Sequence, residues 1–419
     1  MTTDSTSSSA CVRASFADGR GVDICIVGGG GHVGLPLGIV FANKGYNVLI
    51  NDINAKTLEN IAQGRMPFME QGAEPLLRKA LDQGRLSFSC DVSSLSEAPV
   101  LIVTIGTPVD EFHNPDYKVF KNWIMGVLDH LRDGQLLLLR STVFPGTTTW
   151  LDGYLRKHGR KLDVAFCPER IVEGKAVEEL TRLPQIVSGT SETALRKAGE
   201  LFKVIAPSVV ELSPMEAEFA KLFANTYRYV QFAVANQFYM ICDEAGIDYH
   251  RVQAGVKQDY PRLADMPGSG FAAGPCLFKD TLQLAAFLQN RFALGNAAVS
   301  VNEGIMLYIT DHMLRDQPLG TMTVGLLGMA FKANSDDIRS SLSYKLKKIL
   351  EIRAKDVLTT DPYVTVDPNL LPLDEVIDRS DLLILCAPHS DYKGLDLKGT
   401  PVLDIWGFFD KAQRFGHKG

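Results

Sequence analysis

The sequence contains few of the residues and motifs that mark metal-binding and disulfide-rich proteins. It has seven cysteines in 419 residues, and no two of them lie closer than fourteen positions. This spacing excludes CxxC-type zinc and redox motifs, and the eight histidines show no ligand spacing either. An odd number of scattered cysteines is typical of a reducing compartment. We therefore expect no bound metal and a cytoplasmic protein.

The sequence also lacks long hydrophobic runs and an excess of basic residues. No stretch of 18 apolar residues occurs, so we expect no membrane-spanning helix. Residues 1–20 are rich in Ser and Thr and contain no apolar segment, which predicts a disordered tail and not a signal peptide. The net charge of −6 without a basic block argues against nucleic acid and anionic membranes as partners. A small-molecule ligand is still compatible with this composition.

What the sequence does contain is a regular alternation of short apolar runs and helical stretches. This alternation is typical of a doubly wound α/β sheet with parallel strands. The pattern returns after Thr323, which predicts a second and smaller α/β domain. The runs that we predict as the buried strands of the first sheet lie at 23–28, 47–52, 100–106, 135–142, 163–169 and 185–189.

A helical region separates the two alternating regions. Ser213 and Glu216 form a capping box around Pro214, and about thirty residues follow up to Gly246 without a helix breaker. A further helical segment covers about 280–316. We therefore predict two Rossmann-like doubly wound domains joined by a long central helix and a helical linker domain. The predicted parts are a tail over 1–20, a first Rossmann-like domain over 21–212, a helical domain over 213–318 and a second Rossmann-like domain over 319–419.

A glycine-rich turn after the first predicted strand predicts that the domain over 21–212 binds NAD. Gly29, Gly31 and Gly34 form a GxGxxG motif, and Asp52 ends the next strand eighteen residues after Gly34. The first two glycines let a pyrophosphate pass close to the backbone, and the third allows close helix packing. Asp52 suits ribose hydroxyls and repels a 2′-phosphate, whereas a purely structural turn would leave it unexplained. The predicted cofactor-binding residues of this segment are Gly29, Gly31, His32, Val33, Gly34 and Asp52.

Polar residues also follow later predicted strands of the same sheet. Thr107 lies in "IGTP", Thr142 in "STVFPGT" and Glu169 in "CPERIVEG". Because parallel strands end at one edge of the sheet, these residues suit a nicotinamide or sugar neighbour. Thr142 also fits a simple helix cap, and a glutamate at a strand end is often only solvated.

Basic residues form two pairs at positions that suit ligand binding. Lys221 and Asn225 share one face of the long helix, where the lysine is either a snorkelling surface residue or a buried ammonium next to an anion. Lys332 and Arg339 lie in "FKANSDDIRSS" after the first strand of the second domain. There they suit phosphates, together with the helix N-terminus near residue 341.

Cys276 has neighbours that a core cysteine would not need. It follows a run of small residues in "GFAAGPCLFKD", which lets a ligand approach the backbone closely. We interpret four other cysteines as structural: Cys25 and Cys386 in strands, Cys242 in the long helix and Cys11 in the tail. Cys276 is therefore the candidate nucleophile, with a packing role as the alternative.

The ordered set of motifs resembles the UDP-glucose/GDP-mannose dehydrogenase family over residues 22–410. The matching stretches are "GGGGHVGLP", "IGTP", "STVFPGT", "CPE", "EAEFAKLFANTY", "GFAAGPCLFKD" and "GMAFKANSDDIRSS". The resemblance implies oxidation of a UDP-sugar at C6 to a carboxylate with two NAD, and a homodimer formed through the central helix. It also implies that the C-terminal domain binds the nucleotide of the substrate.

The resemblance also assigns roles to residues by position. Cys276 would be the nucleophile that forms a thiohemiacetal and a thioester, because an aldehyde carbon needs a thiolate before it can give a second hydride. Lys221 and Asn225 would stabilise oxyanions, and Asp280 would orient water or transfer protons. Glu169 and Thr142 would join the hydrolytic water network. The implied substrate-binding residues are Glu169, Arg170, Lys221, Asn225, Arg262, Phe271, Gly274, Lys332 and Arg339, with Arg262 reaching its ligand from either the same or the neighbouring subunit.

The loop sequences favour one substrate among several. "CPERIVEG" with Arg170, and "YPR" before the cysteine loop, look more like enzymes that act on UDP-N-acetylhexosamines, which favours UDP-N-acetyl-D-mannosamine. UDP-glucose, UDP-N-acetylglucosamine and UDP-N-acetylgalactosamine are the alternative substrates. A two-electron hydroxyacid dehydrogenase would leave Cys276 inert and the chain past 320 unexplained. A non-catalytic regulator that binds NAD or a nucleotide sugar would not need Cys276, Lys221 and Asp280 together.

Overall fold

The computed structural model describes residues 16, 18–106, 110 and 116–410. The chain divides into two compact units, Met1–Phe223 and Ala224–Gly419, and the division falls inside one long helix. Each unit contains a sheet built mainly from parallel strands. In the part of the chain described, no helix is both long and apolar enough to cross a bilayer.

An eight-stranded sheet forms the centre of the first unit, in the order β3-β2-β1-β4-β5-β6-β7-β8. All neighbouring strands are parallel except β6 and β7, which are antiparallel. The strands are β1 (Ile24–Val27), β2 (Val48–Asn51), β3 (Leu86–Ser89), β4 (Val100–Val103), β5 (Leu136–Leu139), β6 (Asp163–Phe166), β7 (Gln185–Gly189) and β8 (Val209–Glu211). The helices are α1 (Gly34–Asn43), α2 (Ala55–Ala62), α3 (Ala73–Asp82), α4 (Tyr117–Val127), α5 (Thr147–Lys157), α6 (Ala176–Arg182) and α7 (Glu192–Lys203).

All six strands predicted for this sheet are present, and two further strands were missed. β3 has the sequence LSFS, in which serines alternate with apolar residues, so it lacks a continuous apolar run. β8 has three residues and lies at the sheet edge. Both exist because a neighbouring strand supplies the hydrogen-bonding partner, β2 for β3 and β7 for β8, which local composition does not reveal.

The sheet is buried on both faces, as a doubly wound sheet requires. Ile24 and Ile26 of β1 belong to one apolar cluster, and Cys25 and Val27 belong to a second cluster on the opposite face. This alternation follows from the two-residue period of a strand. It explains why β1 reads as a continuous apolar run.

The long helix α8 covers Pro214–Glu244 and has 31 residues. Its predicted capping box is confirmed, because the Ser213 backbone N–H donates to the Glu216 carboxylate at 2.8 Å. The Glu216 backbone N–H donates in return to the Ser213 hydroxyl oxygen at 3.4 Å. The two bonds satisfy orphan donors at the helix start.

A four-stranded parallel sheet forms the centre of the second unit, in the order β10-β9-β11-β12. Its strands are β9 (Thr323–Leu327), β10 (Asp356–Thr360), β11 (Leu382–Leu385) and β12 (Val402–Leu403). The helices after α8 are α9 (Tyr249–Lys257), α10 (Leu277–Phe287), α11 (Ala293–Tyr308), α12 (Leu342–Arg353) and α13 (Leu373–Arg379). The predicted return of the α/β pattern after residue 323 is therefore confirmed.

Two details of the first unit correct the sequence interpretation. Asp18 lies in the predicted tail, yet its carboxylate accepts hydrogen bonds from Asn47 at 3.0 Å and from Arg85 at 2.6 Å. The folded domain therefore begins before residue 21. Cys90 is disulfide-bonded, whereas the cysteine spacing indicated a reducing compartment. Within the described part of the chain, the free cysteines are Cys25, Cys167, Cys242, Cys276 and Cys386.

Glu218 on α8 holds the start of helix α5. Its buried carboxylate accepts the backbone N–H of Gly146 at 2.6 Å and that of Thr148 at 2.8 Å. It also accepts the hydroxyl of Thr148 at 2.6 Å. Burial raises the pKa of Glu218, and the hydrogen bonds from Thr148 and Gly146 oppose this shift only in part. One carboxylate thus satisfies the first donors of α5 and fixes that helix to α8.

We expect Glu218→Gln to lower the melting temperature, at a cost of about 1–3 kcal/mol. The glutamine amide group would place a donor against one of the backbone N–H groups that Glu218 now accepts. Glu216→Gln is the matched control, because it removes the same charge from the same helix but keeps a capping-box acceptor. An equal loss in both variants, measured by thermal unfolding, would contradict this role of Glu218.

The pH dependence of the Glu218→Gln effect has a defined sign. Because the pKa of Glu218 is raised in the folded state, its contribution to stability is fully present below the unfolded value near 4.5 and falls as pH rises through the folded value. The glutamine variant does not titrate at this site. The difference in melting temperature between the two proteins should therefore narrow as pH rises from about 4.5.

Candidate active site

The glycine-rich turn after β1 has the geometry of a dinucleotide site. A Cβ on Gly29 would lie 2.7 Å from the Ile26 carbonyl oxygen, and one on Gly34 would lie 2.7 Å from the Gly29 Cα. Both positions therefore require glycine for packing. At Gly31 the nearest atom to such a Cβ is 3.7 Å away, so packing inside the protein does not require glycine there. A pyrophosphate that passes close to the backbone would require it.

Asp52 follows β2 directly and lies beside this turn. Its carboxylate accepts the Gly30 N–H at 2.9 Å and the Asn54 N–H at 3.0 Å. These bonds orient the side chain while leaving it partly exposed, as a ribose-binding carboxylate needs. The glycine turn, Asp52 and the N-terminus of α1 together fit NAD.

Two further predicted cofactor residues lie in the same loop. The His32 ring stacks on Phe68 with centroids 3.9 Å apart, and His32 Nδ1 lies 3.7 Å from a carboxylate oxygen of Glu173. Val33 immediately precedes α1 and is partly exposed. Thr107, which was also predicted to bind the cofactor, lies outside the described residues. Glu173 was missed, although it stands in the same "CPERIVEG" motif as Glu169.

Thr142 and Glu169 both follow strands at the carboxyl edge of the sheet. Thr142 is partly exposed in the β5–α5 loop, whose far end Glu218 fixes. Glu169 is buried and forms an ion pair with Arg140, whose side chain is fully buried. Its second oxygen accepts the Arg170 N–H at 2.7 Å and the Ile171 N–H at 2.9 Å. The structure thus shows Glu169 ordering its own loop.

Sequence reasoning missed Arg140, the partner of Glu169. Its guanidinium also donates to Gln185 at 2.8 Å and to the Cys167 carbonyl at 3.1 Å, and it lies 4.8 Å from the Phe202 ring centroid. An arginine at the end of an apolar strand is a usable signal. Such a residue needs a buried acid nearby.

Lys221 and Asn225 lie one turn apart on α8, and both side chains are buried. The interpretation of Lys221 as a snorkelling surface lysine is therefore wrong. In the second unit, Asn225 Nδ2 donates to Asp280 Oδ2 at 2.6 Å. Asp280 is fully buried, and its Oδ1 lies 3.4 Å from the Lys279 ammonium. Asn225 therefore fixes the orientation of a buried carboxylate.

Cys276 occupies the residue before α10 and is exposed. It lies one helical turn before Asp280, because the Asp280 N–H donates to the Cys276 carbonyl at 2.9 Å. A helix N-terminus carries partial positive charge, which stabilises an anionic group such as a thiolate. The arrangement places an accessible sulfur, a helix N-terminus and a fixed carboxylate on one turn.

The other free cysteines have unreactive surroundings. Burial raises the pKa of Cys25 and of Cys167 to about 12. Burial also raises the pKa of Cys242 and that of Cys386. A thiol that stays protonated is a poor nucleophile. Among these cysteines, exposure therefore distinguishes Cys276 from the rest.

The loop before Cys276 is shaped by two glycines. Gly270 has φ +148°, and a Cβ there would lie 2.2 Å from the Trp406 ring. Gly274 has φ +102°, and a Cβ there would lie 2.6 Å from the Phe331 ring. Phe271, predicted to bind substrate, is buried and packs edge-on against Trp406, with ring centroids 6.2 Å apart. Phe271 is therefore a packing residue of this loop.

The predicted phosphate-binding residues lie in one loop of the second unit. The Lys332 ammonium is 5.5 Å from the Phe331 ring centroid. The Arg339 guanidinium makes a two-pronged bond to the Asp337 carboxylate, with Nε–Oδ2 at 2.8 Å and Nη2–Oδ2 at 2.6 Å. Arg339 is thus held by Asp337 while most of its loop stays accessible.

The two remaining predicted arginines are placed differently. Arg170 donates to the Pro184 carbonyl within the first unit. Arg262 is exposed on a short turn, donates to the Tyr260 hydroxyl at 3.2 Å and lies 5.7 Å from that ring's centroid. Neither contact assigns a substrate role.

Sequence reasoning also missed a buried pair in the second unit, Asp361 and His389. Asp361 directly follows β10, as Asp52 follows β2, so the same signal was available. His389 Nε2 lies 3.0 Å from Asp361 Oδ2, and neither side chain is exposed. Burial raises the pKa of Asp361, but hydrogen bonds from His389, Ala330 and Tyr363 outweigh it and lower the pKa overall.

Comparisons with known proteins cover nearly the whole chain. Models of the UDP-glucose/GDP-mannose dehydrogenase family match residues 22–206 (NAD binding domain), 215–304 (central domain) and 325–411 (UDP binding domain). The chain is 30% identical over 380 residues to a UDP-N-acetyl-D-mannosamine dehydrogenase of Methanococcus maripaludis, covering 88% of this chain and 87% of that protein.

Two solved structures share the fold equally well. One is the UDP-N-acetyl-D-mannosamine dehydrogenase of Pyrococcus horikoshii, with a TM-score of 0.87, 26% identity and coverage of 95% and 98% of the two chains. The other is a UDP-glucose dehydrogenase of Pyrobaculum islandicum, with the same TM-score and identity and coverage of 94% and 96%. The fold therefore does not discriminate between these sugars.

These matches agree with the glycine turn and Asp52 that fit NAD in the first unit, and NAD is the cofactor. They also place a UDP-binding domain where the second sheet lies. The chain belongs to the UDP-glucose/GDP-mannose dehydrogenase family, as its ordered motifs predicted.

Proposed function

We propose that this protein oxidises UDP-N-acetyl-D-mannosamine at C6 to the uronic acid through a covalent intermediate on Cys276. The observation that carries the proposal is the exposed Cys276 thiol at the N-terminus of α10, one turn before the Asn225–Asp280 pair. A simple alcohol dehydrogenase needs no such sulfur. An oxidation that continues past the aldehyde requires a nucleophile such as this thiol.

The chemistry balances as two oxidations and one hydrolysis. When bound at the glycine turn and Asp52, NAD would supply the hydride acceptor for each oxidation. The C6 alcohol first loses a hydride and a proton and becomes an aldehyde. The Cys276 thiolate then adds to the aldehyde carbon, and loss of a second hydride leaves a thioester. Water cleaves the C–S bond, which gives the carboxylate and returns the thiol. Cys276 must stay reduced to act as a nucleophile, which favours a cytoplasmic location, although disulfides such as that of Cys90 are rare there.

The polar residues that the family resemblance assigns to the site have the chemistry that these steps need. The Lys221 ammonium and the Asn225 amide supply donors for the oxyanions of both oxidations. Asp280, fixed by Asn225, orients a water or carries a proton during hydrolysis. Glu169 and Thr142 contribute to the water network, with Glu169 acting chiefly through the loop that it orders. Lys332 and Arg339 bind the UDP end of the substrate.

The choice of sugar rests on sequence likeness. The "CPERIVEG" and "YPR" stretches resemble enzymes for UDP-N-acetylhexosamines, and the Methanococcus maripaludis relative is named for UDP-N-acetyl-D-mannosamine. An N-acetyl group at C2 adds bulk and an amide, so a pocket built for it rejects UDP-glucose.

We expect two NADH per sugar from the wild-type protein, with UDP-N-acetyl-D-mannosamine preferred over the N-acetylglucosamine, N-acetylgalactosamine and glucose analogues. Cys276→Ser should give at most one NADH per sugar while it still binds UDP-sugar, because the second hydride needs the thiolate. Cys242→Ala is the matched control. The measurement is NADH absorbance against sugar consumed.

The outcomes of this experiment separate the alternatives. One NADH per sugar from wild type would show simple alcohol oxidation and an inert Cys276. Preference for another sugar would overturn the substrate but keep the mechanism. NAD binding without turnover of any sugar would favour a regulator.

We infer a homodimer from an exposed apolar stripe along α8. The residues of this stripe are Tyr227 (66% exposed), Val234 (43%), Phe238 (46%) and Ile241 (55%). At 100° per residue, these four positions fall within about 60° of one another around the helix. Monomers rarely leave so continuous an apolar surface open to water, which supports a second copy of this chain as the partner.

We expect Phe238→Glu combined with Ile241→Glu to shift the protein from dimer to monomer. Two carboxylates in an apolar interface would be desolvated without partners. Ile352→Glu is the control, because Ile352 is 87% exposed and lies on a different helix, α12. Light scattering after size exclusion gives the mass. A monomeric wild type, or a dimer in the double variant, would contradict the proposal.

A further inference from the structure

The loop that carries Lys332 and Arg339, residues 331–339, is here called the nucleotide loop. It contains a backbone conformation that is unusual for a residue with a side chain, because Asn334 has φ +54°. Such a conformation costs energy and persists only where surrounding contacts hold it. The contacts that hold Asn334 therefore also hold the loop.

Two consecutive residues after β11, His389 and Ser390, make those contacts. The Asn334 N–H donates to His389 Nδ1 at 2.9 Å. The Asn334 side-chain oxygen accepts the Ser390 N–H at 2.8 Å and the Ser390 hydroxyl at 3.0 Å. Asn334, at the exposed tip of the nucleotide loop, is thus hydrogen-bonded through its backbone to the buried His389 and through its side chain to Ser390.

The hydrogen bonds determine the tautomer of His389. A backbone N–H can only donate, so Nδ1 carries no proton. The proton therefore lies on Nε2, which donates to Asp361 Oδ2 at 3.0 Å. Asp361 Oδ2 also accepts the Met329 N–H at 2.6 Å and the Ala330 N–H at 2.9 Å, just before the loop. His389 links the base of the nucleotide loop, through Asp361, to its tip.

We propose that His389 is a positioning residue that holds the nucleotide loop ready to bind the nucleoside diphosphate of the substrate, through the lone pair on Nδ1. The inference rests on the proposed function, since it takes Lys332 and Arg339 to bind that group. The loop also supports the nucleophile, because the Phe331 ring packs under Gly274 and the Ser340 carbonyl accepts the Gly274 N–H at 3.3 Å. His389 itself touches no reacting atom.

Two substitutions separate the two nitrogens of His389. In His389→Gln the amide nitrogen replaces Nε2 and keeps a donor for Asp361, but no acceptor faces the Asn334 N–H. In His389→Asn the amide oxygen replaces Nδ1 and keeps that acceptor, but Asp361 loses its buried donor. A merely structural histidine would make stability and UDP affinity change together in both variants.

We expect opposite effects from the two variants. His389→Gln should weaken UDP binding by about five- to tenfold, as expected for one lost hydrogen bond, with little change in melting temperature. His389→Asn should lower the melting temperature and keep UDP affinity within about twofold of wild type. The KM for NAD should not change in either variant. Isothermal titration with UDP and thermal unfolding give the two readouts.

Asn334→Gly provides a test that does not touch the buried pair. Glycine keeps the N–H and adopts positive φ without strain, but it loses the oxygen that accepts from Ser390. UDP affinity should fall by about threefold or more, and the melting temperature should not change. This test does not depend on whether the His389→Asn variant folds.

The outcomes distinguish a failure of this inference from a failure of the proposed function. Wild type that binds UDP, with His389→Gln binding it equally well, would overturn the role of His389 alone. Parallel losses of affinity and stability in both His389 variants would also overturn it. Wild type that binds neither UDP nor any UDP-sugar would overturn the proposed function and this inference together.

Discussion

Acidic side chains that accept backbone N–H groups hold the loops of this protein in place. Turns at the ends of parallel strands leave backbone donors without a sheet partner, and a buried unpaired donor is costly. Asp52 satisfies such donors at the glycine turn, Glu169 at its own loop, and Asp361 at the start of the nucleotide loop. These three loops are therefore fixed by a carboxylate before any ligand arrives.

Both sheets have an aspartate after their second strand, but the two aspartates serve different ligands. In the first unit Asp52 accepts two backbone donors and stays partly exposed, so it can still bind ribose hydroxyls. In the second unit Asp361 occupies the corresponding place after the second strand, but His389 covers it and leaves none of its side chain exposed. A Rossmann-like sheet without an accessible acid at this point lacks the NAD ribose contact. In the proposed function, the nucleotide loop instead binds its ligand through its basic residues.

Glu218 extends the same principle to the long helix. Its carboxylate caps the first turn of α5. It thereby connects the β5–α5 loop, which carries Thr142, to the helix that carries Lys221. The cofactor-side loop and the buried ammonium are consequently fixed to each other by side-chain capping. A helix dipole and three donors make this acceptor stronger than an ordinary surface cap.

The sequence by itself determined the doubly wound fold, the NAD turn, the long helix and the candidate nucleophile, because each depends on local patterns. Strand runs, glycine spacing, the Ser213 capping box and the small residues before Cys276 are all visible along the chain. The tertiary structure alone decided β3 and β8, the partner of Glu169, the packing role of Phe271 and the Asp361–His389 pair. These features join residues far apart in sequence, and pairing and burial depend on which segments the fold brings together.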